Sequence, residues 1–429
     1  MRRPIRPNII LITIDALRPD HLGCYGYKMN TSPNIDKFSK EGVIFTQAIS
    51  QGPATVYSLP SLMTSAYPGT IKVKKWGDYI NESIFTLAQI LKSNGFWTGC
   101  ICAQDFFISL LGLNRGFDTL STGVDLKAEQ VTKKAILWIE KNKKKSFFLW
   151  LHYFDPHEPY RPPNYIKIDT GHTHEENYDK QVPILKNRPV DTDVYGGLGG
   201  IPDYAIVDGR REQGYYVSLY DREIKYTDEQ IGLLLDELKK LSLYNNALII
   251  ITADHGESLG EHNLYFTHGT FLYDVVVRVP LIIKYGKLFS NSQIINKQVR
   301  LLDIMPTILR ILHIRLNWKI EGFNLLPLIF KENKTPELYA FSEYDEMQSI
   351  RTPEWKLIYH SRDKRYELYD LINDPKELSN LVVIEKKQFK FLKAKLESWM
   401  HRLKPNIKPS SRPLDGTTKA KLKSLGYVQ

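Results

Sequence analysis

Two seven-residue stretches, far apart in the chain, constrain its fold more than anything else. Asn8-Ile9-Ile10-Leu11-Ile12-Thr13-Ile14 and Ala247-Leu248-Ile249-Ile250-Ile251-Thr252-Ala253 are nearly all apolar and rich in isoleucine. A strand with one wet face alternates polar and apolar residues. Near-continuous apolar runs mark strands buried on both faces, which belong to parallel sheets covered by helices. Each stretch ends in ligand-type residues, Asp15 after the first and Asp254-His255 after the second. In open α/β sheets ligands collect beyond the carboxyl ends of the strands, so these three side chains are expected to meet and hold one metal ion. An enzyme is the expected outcome.

The rest of the chain continues the alternation. At 429 residues, 42% apolar and 25% charged, it can bury a large core. Further apolar runs occupy Trp97 to Ala103, Phe147 to Phe154 and Pro280 to Tyr285. Ser32-Pro33 opens one helix, with serine at the N-cap and proline first in the helix, and Ile84 to Ser93 forms another, closed by Asn94-Gly95. A long helix from about Tyr216 to Leu241 carries Leu219, Ile224, Ile231, Leu234, Leu235 and Leu238 mostly on one face, which makes them core. The expected fold class is α/β, a mainly parallel sheet flanked by helices. Between Pro163 and Gln213 the periodicity gives way to glycine, proline, histidine and aspartate, and segment 164–213 is expected to be a lid loop near the substrate. His172 and His174 within it read as surface residues. Short aromatic-rich strands at Tyr339 to Tyr344, Trp355 to His360 and Tyr366 to Leu371, then a basic amphipathic helix near Glu385 to Leu403, predict a small antiparallel sheet plus helix. The expected division is a catalytic domain over 1–337 and a C-terminal subdomain over 338–429.

Charge and cysteine content exclude several classes. The net charge is +10, but the lysines concentrate at Lys141 to Lys145 and Lys386 to Lys395 as solvated helix faces, without an aromatic-interleaved basic stripe. Nucleic acid is therefore not the expected partner; a small anionic ester, drawn in by the positive field, is. Cys24, Cys100 and Cys102 are too few for a disulfide framework and Cys100-Ile101-Cys102 is not a zinc spacing, so all three read as reduced structural thiols. The basic start Met1-Arg2-Arg3-Pro4 leads into an apolar segment with no small-residue cleavage site and far short of a membrane span. A cytoplasmic protein without a transmembrane segment is expected; nothing in the sequence marks its oligomeric state.

Polar residues gather in an ordered series of motifs. Asp15-Ala16-Leu17-Arg18-Pro19-Asp20-His21 comes first, then Gly52-Pro53-Ala54-Thr55-Val56-Tyr57-Ser58-Leu59-Pro60-Ser61-Leu62-Met63-Thr64-Ser65. His152-Tyr153-Phe154-Asp155-Pro156-His157-Glu158-Pro159 and Asp254-His255-Gly256-Glu257-Ser258-Leu259-Gly260-Glu261-His262 follow, continued by His268-Gly269, Asp303-Ile304-Met305-Pro306-Thr307 and Leu368-Tyr369-Asp370-Leu371. In that order they resemble the sulfatase family of the alkaline phosphatase superfamily, near its phosphonate monoester hydrolase branch. The resemblance covers nearly the whole chain. It implies an alkaline-phosphatase-like sheet and a metal-dependent hydrolase of sulfate esters.

Carried over residue by residue, Asp15, Asp254 and His255 fall on metal-ligand positions, and Ser58 on the nucleophile position, which is also a metal ligand, at the head of a Cys/Ser-x-Pro-Ser-Arg signature. His157 and His268 fall where the family contacts the ester oxygens or protonates the leaving group, and His152 and Arg18 join them as substrate-binding candidates. The residues also allow plainer roles: a helix cap for Ser58, core histidines for His152 and His262, an ion pair for Arg18. Departures matter here. Ala16 replaces a second aspartate and His255 an asparagine, so calcium follows from the resemblance while manganese or zinc follows from the imidazole. Leu62 stands where the signature that directs conversion of the nucleophile to formylglycine has arginine, so formylglycine at Ser58 competes with an unmodified Ser58. With the hydroxyl intact, a phosphodiesterase, phosphonate monoester hydrolase or phosphotransferase is the alternative enzyme. A catalytically silent binding protein of the same fold is the third reading.

Overall fold

The computed structural model describes residues 6–123, 125–168, 180–185, 200–289, 292–333, 335–403 and 407–424. Its central sheet contains β1 (Asn8–Ile14), β2 (Val43–Ile49), β3 (Trp97–Cys102), β4 (Thr119–Thr122), β5 (Phe147–Tyr153), β6 (Ala247–Ala253), β7 (Arg278–Lys284), β8 (Gln293–Ile295) and the short β9 (Val299–Arg300). The strand order is β8-β2-β7-β6-β1-β5-β3-β4, with β9 also on β2. Every residue of β1, β5 and β6 is buried, which is why their sequences are apolar throughout. β1 lies between β6 and β5 and parallel to both, with Ile14 level with Ala253 on one side and Tyr153 on the other. The expected mainly parallel sheet is therefore present. Its exception is β7, which runs antiparallel to both neighbours.

Helices α1 (Pro33–Ser39), α2 (Thr55–Thr64), α3 (Ala128–Asn142) and α4 (Gln213–Lys240) are among those covering the sheet. The leucines and isoleucines of α4 named from the sequence are all buried. Ser32 stands at the N-cap position of α1, but its hydroxyl makes no cap bond. The Asp228 carboxylate of α4 reaches across to accept from Asn34 N at 3.0 Å and Ile35 N at 2.7 Å, replacing a hydroxyl cap with a charged one from a neighbouring element. α2 is unusual in that all ten residues are buried, Pro60 included.

At the C-terminal end, β10 (Ala340–Tyr344), β11 (Met347–Arg351), β12 (Trp355–His360) and β13 (Arg365–Asp370) form an antiparallel sheet in chain order, backed by α5 (Lys386–Arg402). Three of these strands follow the aromatic runs seen in the sequence. β11, Met347-Gln348-Ser349-Ile350-Arg351, carries no such signal, and pairing on both sides makes it a strand. Phe341 stacks on Trp399 of α5 at 4.5 Å, and both share an apolar cluster with Tyr67 and Leu302. This layer also pins the chain ahead of α2: Ser342 Oγ donates to Ser50 O at 2.6 Å and Glu343 N to Gln51 O at 2.9 Å. Segments 169–179 and 186–199 of the expected lid, with His172 and His174, lie outside the described residues. All three cysteines are free thiols. Among the described residues no helix is long and apolar enough to cross a membrane.

Candidate metal and catalytic site

Strand register dictates which residues meet. Because β6, β1 and β5 end level with one another, the residues just past their carboxyl ends converge: Asp254 and His255 after β6, Asp15 after β1, and the turn holding His157 and Glu158 after β5. Asp15 N continues the ladder to Tyr153 O at 2.9 Å, which fixes its position. One ligand atom from each of Asp15, Asp254 and His255 lies within 4.8 Å of the others, and all three residues are fully buried.

The imidazole of His255 is preset for ligation. Its Nδ1 lies 2.9 Å from Gly256 O, and a carbonyl can only accept, so Nδ1 carries the proton and Nε2 presents its lone pair. That Nε2 stands 3.2 Å from Asp15 Oδ1 and 3.5 Å from Asp254 Oδ2. Burial lowers the His255 pKa against the opposing pull of Asp254, which favours the neutral, ligating form. Burial alone would raise Asp15, but the field of His157 and a contact with His152 hold it down to about 2. Neither Asp15 oxygen has a hydrogen-bond partner of ordinary geometry among the described residues. A buried carboxylate that stays ionised yet lacks hydrogen-bond donors is placed to ligate a divalent cation. The residues fit the metal that the resemblance implies.

The hydroxyl nearest this cluster belongs to Thr55. Thr55 is the first residue of α2, after the extended Ala54, and its Oγ1 donates to Asp254 Oδ2 at 2.9 Å and lies 3.3 Å from His255 Nε2. Ser58 is one turn further in. Its hydroxyl turns back to Ala54 O at 3.2 Å and meets Asp254 Oδ2 only at 3.4 Å. The structure thus brings Ser58 to the edge of the cluster and Thr55 into it. Thr55 was missed because the Ser-x-Pro-Ser pattern drew the reading to Ser58. Gly52-Pro53 and the extended Ala54 just before it mark where the helix, with its partly positive N-terminal end, begins.

The other candidates divide. His268 stacks on His255 with ring centroids 4.3 Å apart, and His157 meets His268 edge-on at 4.7 Å, so both belong to the site. Glu158 and Glu257, not singled out from the sequence, join them: Glu158 Oε2 is 3.3 Å from His157 Nδ1 and 3.4 Å from His268 Nδ1, and Glu257 Oε2 is 3.5 Å from the latter. His152 is completely buried, bonded through Nδ1 to Thr13 Oγ1 at 2.8 Å with Nε2 3.4 Å from Asp15 Oδ2, a place suited to orienting Asp15. The Arg18 guanidinium is committed to Asp20 and Glu261, at 2.7 Å each, and to Glu257 O. It is buried rather than on the surface. His262 stacks on Tyr273 at 3.7 Å, beside a small cavity also lined by Phe271, Met347 and His360.

Comparison with known proteins gives the family and the fold. The sulfatase family model matches residues 7–314, and a model of the N-sulphoglucosamine sulphohydrolase C-terminal region matches 260–406. The chain belongs to the sulfatase family. It is 26% identical to an arylsulfatase of Clostridium perfringens over 88% of this chain and 90% of that protein. In fold it is similar to a protein solved with its substrate D-glucosamine-2-N,6-O-disulfate, at TM-score 0.75 and 23% identity over 95% of this chain and all of that one. It is equally similar to the phosphonate monoester hydrolase of Agrobacterium radiobacter, at TM-score 0.75 and 18% identity with the same coverage. The α/β fold with its small C-terminal sheet is that of sulfatases, and the sulfatases among its relatives are sulfuric ester hydrolases. Members of the family generally bind a divalent metal.

Proposed function

We propose that this chain is a metal-dependent hydrolase of sulfate esters in which Asp15, Asp254 and His255 hold the ion and Thr55 supplies the nucleophile. The observation that carries this reading is the Thr55 hydroxyl, donated to Asp254 at 2.9 Å at the N-terminus of a buried helix, inside the ligand cluster. Two carboxylates, an imidazole and a hydroxyl form a mixed nitrogen and oxygen set, which suits manganese or zinc better than an all-oxygen calcium cage. Once bound, the ion supplies charge that stabilises the Thr55 alkoxide and the ester oxyanion.

The chain's own groups do the rest. The Thr55 proton leaves along its hydrogen bond to Asp254 Oδ2 as Oγ1 bonds to sulfur, and the bond from sulfur to the alcohol oxygen breaks. The helix N-terminus favours the negative charge gathering there. His157 and His268 flank the same space and contact the ester oxygens or the leaving alcohol. Water then attacks the sulfur of the threonyl adduct, releasing sulfate and restoring the hydroxyl.

Thr55 also favours a second reading. Its β-carbon bears a methyl group, so oxidation there would give a ketone and not the aldehyde of formylglycine, and the adduct has no second hydroxyl through which to expel its group. A threonyl phosphate discharged by water meets the same requirement, so phosphate diesters and phosphonate monoesters belong in the test. The purified chain is to be assayed with aryl sulfates, aryl phosphodiesters and phosphonate monoesters under manganese, zinc and calcium, with mass spectrometry of the Thr55 and Ser58 peptide. Sulfate turnover that is lost in Thr55→Ala supports the first reading. Turnover confined to phosphorus esters selects the second. Turnover that survives Thr55→Ala, or formylglycine found at Ser58, overturns Thr55 as nucleophile.

A further inference from the structure

We propose that Glu223 is a positioning residue for the reaction, which with Thr227 clamps the turn after β5 and so holds His157 beside the ligand cluster. The role rests on the hydrolase reading above. Glu223 and Thr227 stand four residues apart on α4, on one face of it, and both are buried. Thr227 Oγ1 donates to Asp155 O at 3.1 Å where the turn begins, and Glu223 Oε1 accepts from Arg161 N at 2.6 Å where it ends. His157 and Glu158 lie between the two anchors. Inside the turn, His157 N donates to Phe154 O at 2.8 Å and Phe154 stacks on the imidazole at 4.2 Å. None of these contacts is with the ester; together they set where the imidazole stands.

The second Glu223 oxygen, Oε2, is buried beside the Asp155 carboxylate and has no hydrogen-bond partner of ordinary geometry among the described residues. Asp155 is committed elsewhere: its oxygens accept from Ala128 N at 3.0 Å, at the start of α3, and from Lys127 Nζ at 3.2 Å. One lysine balances one of two adjacent carboxylates, so the other is stable only with a proton. Burial and the Asp155 charge accordingly push the Glu223 carboxyl up to about 8, against the pull of Lys127, whose further acidic neighbour is Asp125. With its proton, Glu223 sits against Asp155 without repulsion. Once ionised it repels Asp155, and the two ends of the turn are pushed apart where α4 had held them together.

The full chain is to be assayed from pH 6 to pH 9 on the best ester of the panel, as wild type, Glu223→Gln and Glu223→Ala. Backbone hydrogen exchange in the peptide spanning the turn is followed over the same range. Glutamine keeps an acceptor for Arg161 N and cannot ionise, so Glu223→Gln should match wild type at pH 6. Above pH about 8 its kcat relative to wild type should rise, and its turn should keep the protection that the wild-type turn loses. Glu223→Ala should lower kcat on the order of 10²-fold with KM little changed, and its turn should exchange faster at every pH. A kcat ratio and a protection that stay level across the range, or an alanine variant that behaves as wild type, would overturn the clamp. If Glu223→Ala does not fold, the glutamine comparison decides alone. If the wild type turns over no ester, the hydrolase reading fails, while protection of the turn in Glu223→Gln still tests the clamp.

Discussion

Asp15 and Lys356 are both completely buried charges, and the molecule treats them in opposite ways. Lys356 Nζ meets Asp274 Oδ1 at 2.5 Å and Glu377 Oε1 at 2.8 Å, while Arg351 adds a second cation on Asp274 at 2.8 Å. Two acids answer two bases, across the junction between the C-terminal sheet and the chain leading into β7. At the strand ends Asp15, Asp254, Glu158 and Glu257 are met by imidazoles and hydroxyls, and none forms an ion pair with lysine or arginine among the described residues. A balanced cluster completes the fold. An unbalanced one is arranged for a cation that comes from outside.

The sharpest way to break the comparison is to remove the hydroxyl from the unbalanced cluster. Thr55→Ala should lower kcat/KM by at least on the order of 10⁴-fold, as loss of a nucleophile does, with unfolding little changed. Ser58→Ala, one turn away, should retain most activity. Steady-state kinetics on the best ester of the panel checks both, and similar losses from the two variants would remove the distinction drawn between them.

Stability should respond more strongly in the balanced cluster than in the unbalanced one. Asp274→Asn leaves Arg351 and Lys356 short of a counter-charge and should destabilise the chain by about 3 kcal/mol. Asp15→Asn removes a charge that its neighbouring imidazoles favour, the carboxyl being held down to about 2, and in metal-free protein should destabilise by only about 1 kcal/mol. Urea unfolding of both variants in chelator measures the pair. A loss as large in Asp15→Asn as in Asp274→Asn would mean that the strand-end carboxylates are as fully satisfied by the protein as Asp274 is.

Much of this arrangement was legible in the sequence, for a physical reason. Strands buried on both faces must be apolar at every position, so β1, β5 and β6 announced themselves, and the residues that interrupt them, Asp15, Asp254 and His255, could be placed beyond the same sheet edge. The site residues that escaped notice depend on neighbours distant in sequence. Thr55 acquires its role from Asp254 across the site, Glu257 from Glu158, and β11 from the strands on either side of it. Arg18 shows the converse: its guanidinium, a candidate for substrate, is taken up by Asp20 and Glu261.

Metal removal sharpens the comparison further. An ion present at about 100 times its Kd stabilises the chain that binds it by about 2.7 kcal/mol, so chelator should lower the wild-type melting temperature. Asp254→Asn should show a smaller drop and Asp274→Asn the full one. Differential scanning calorimetry with and without chelator measures this, and equal drops in the two variants would place the stabilising ion elsewhere.

The smallest effect lies in acid and belongs to the balanced cluster. Burial pushes the Asp274 carboxyl upward, but the charges of Arg351 and Lys356 outweigh it and hold the group well below its ordinary value of 3.8. A carboxyl depressed in the folded state takes up its proton more readily in the unfolded chain. The stability it contributes is therefore fully present above pH about 4 and is lost as pH falls toward the folded value, by at most about 1.4 kcal/mol per pH unit. Burial and the Asp274 charge push the neighbouring Glu377 up to about 7, so the comparison is made with that group removed. The difference in unfolding free energy between Glu377→Gln and Glu377→Gln with Asp274→Asn, measured in chelator from pH 7 to pH 3, should stay level down to about pH 4 and then narrow. A difference that widened in acid, or that closed between pH 7 and 6, would show that Asp274 is not held by Arg351 and Lys356 and that the two clusters are less distinct than their geometry indicates.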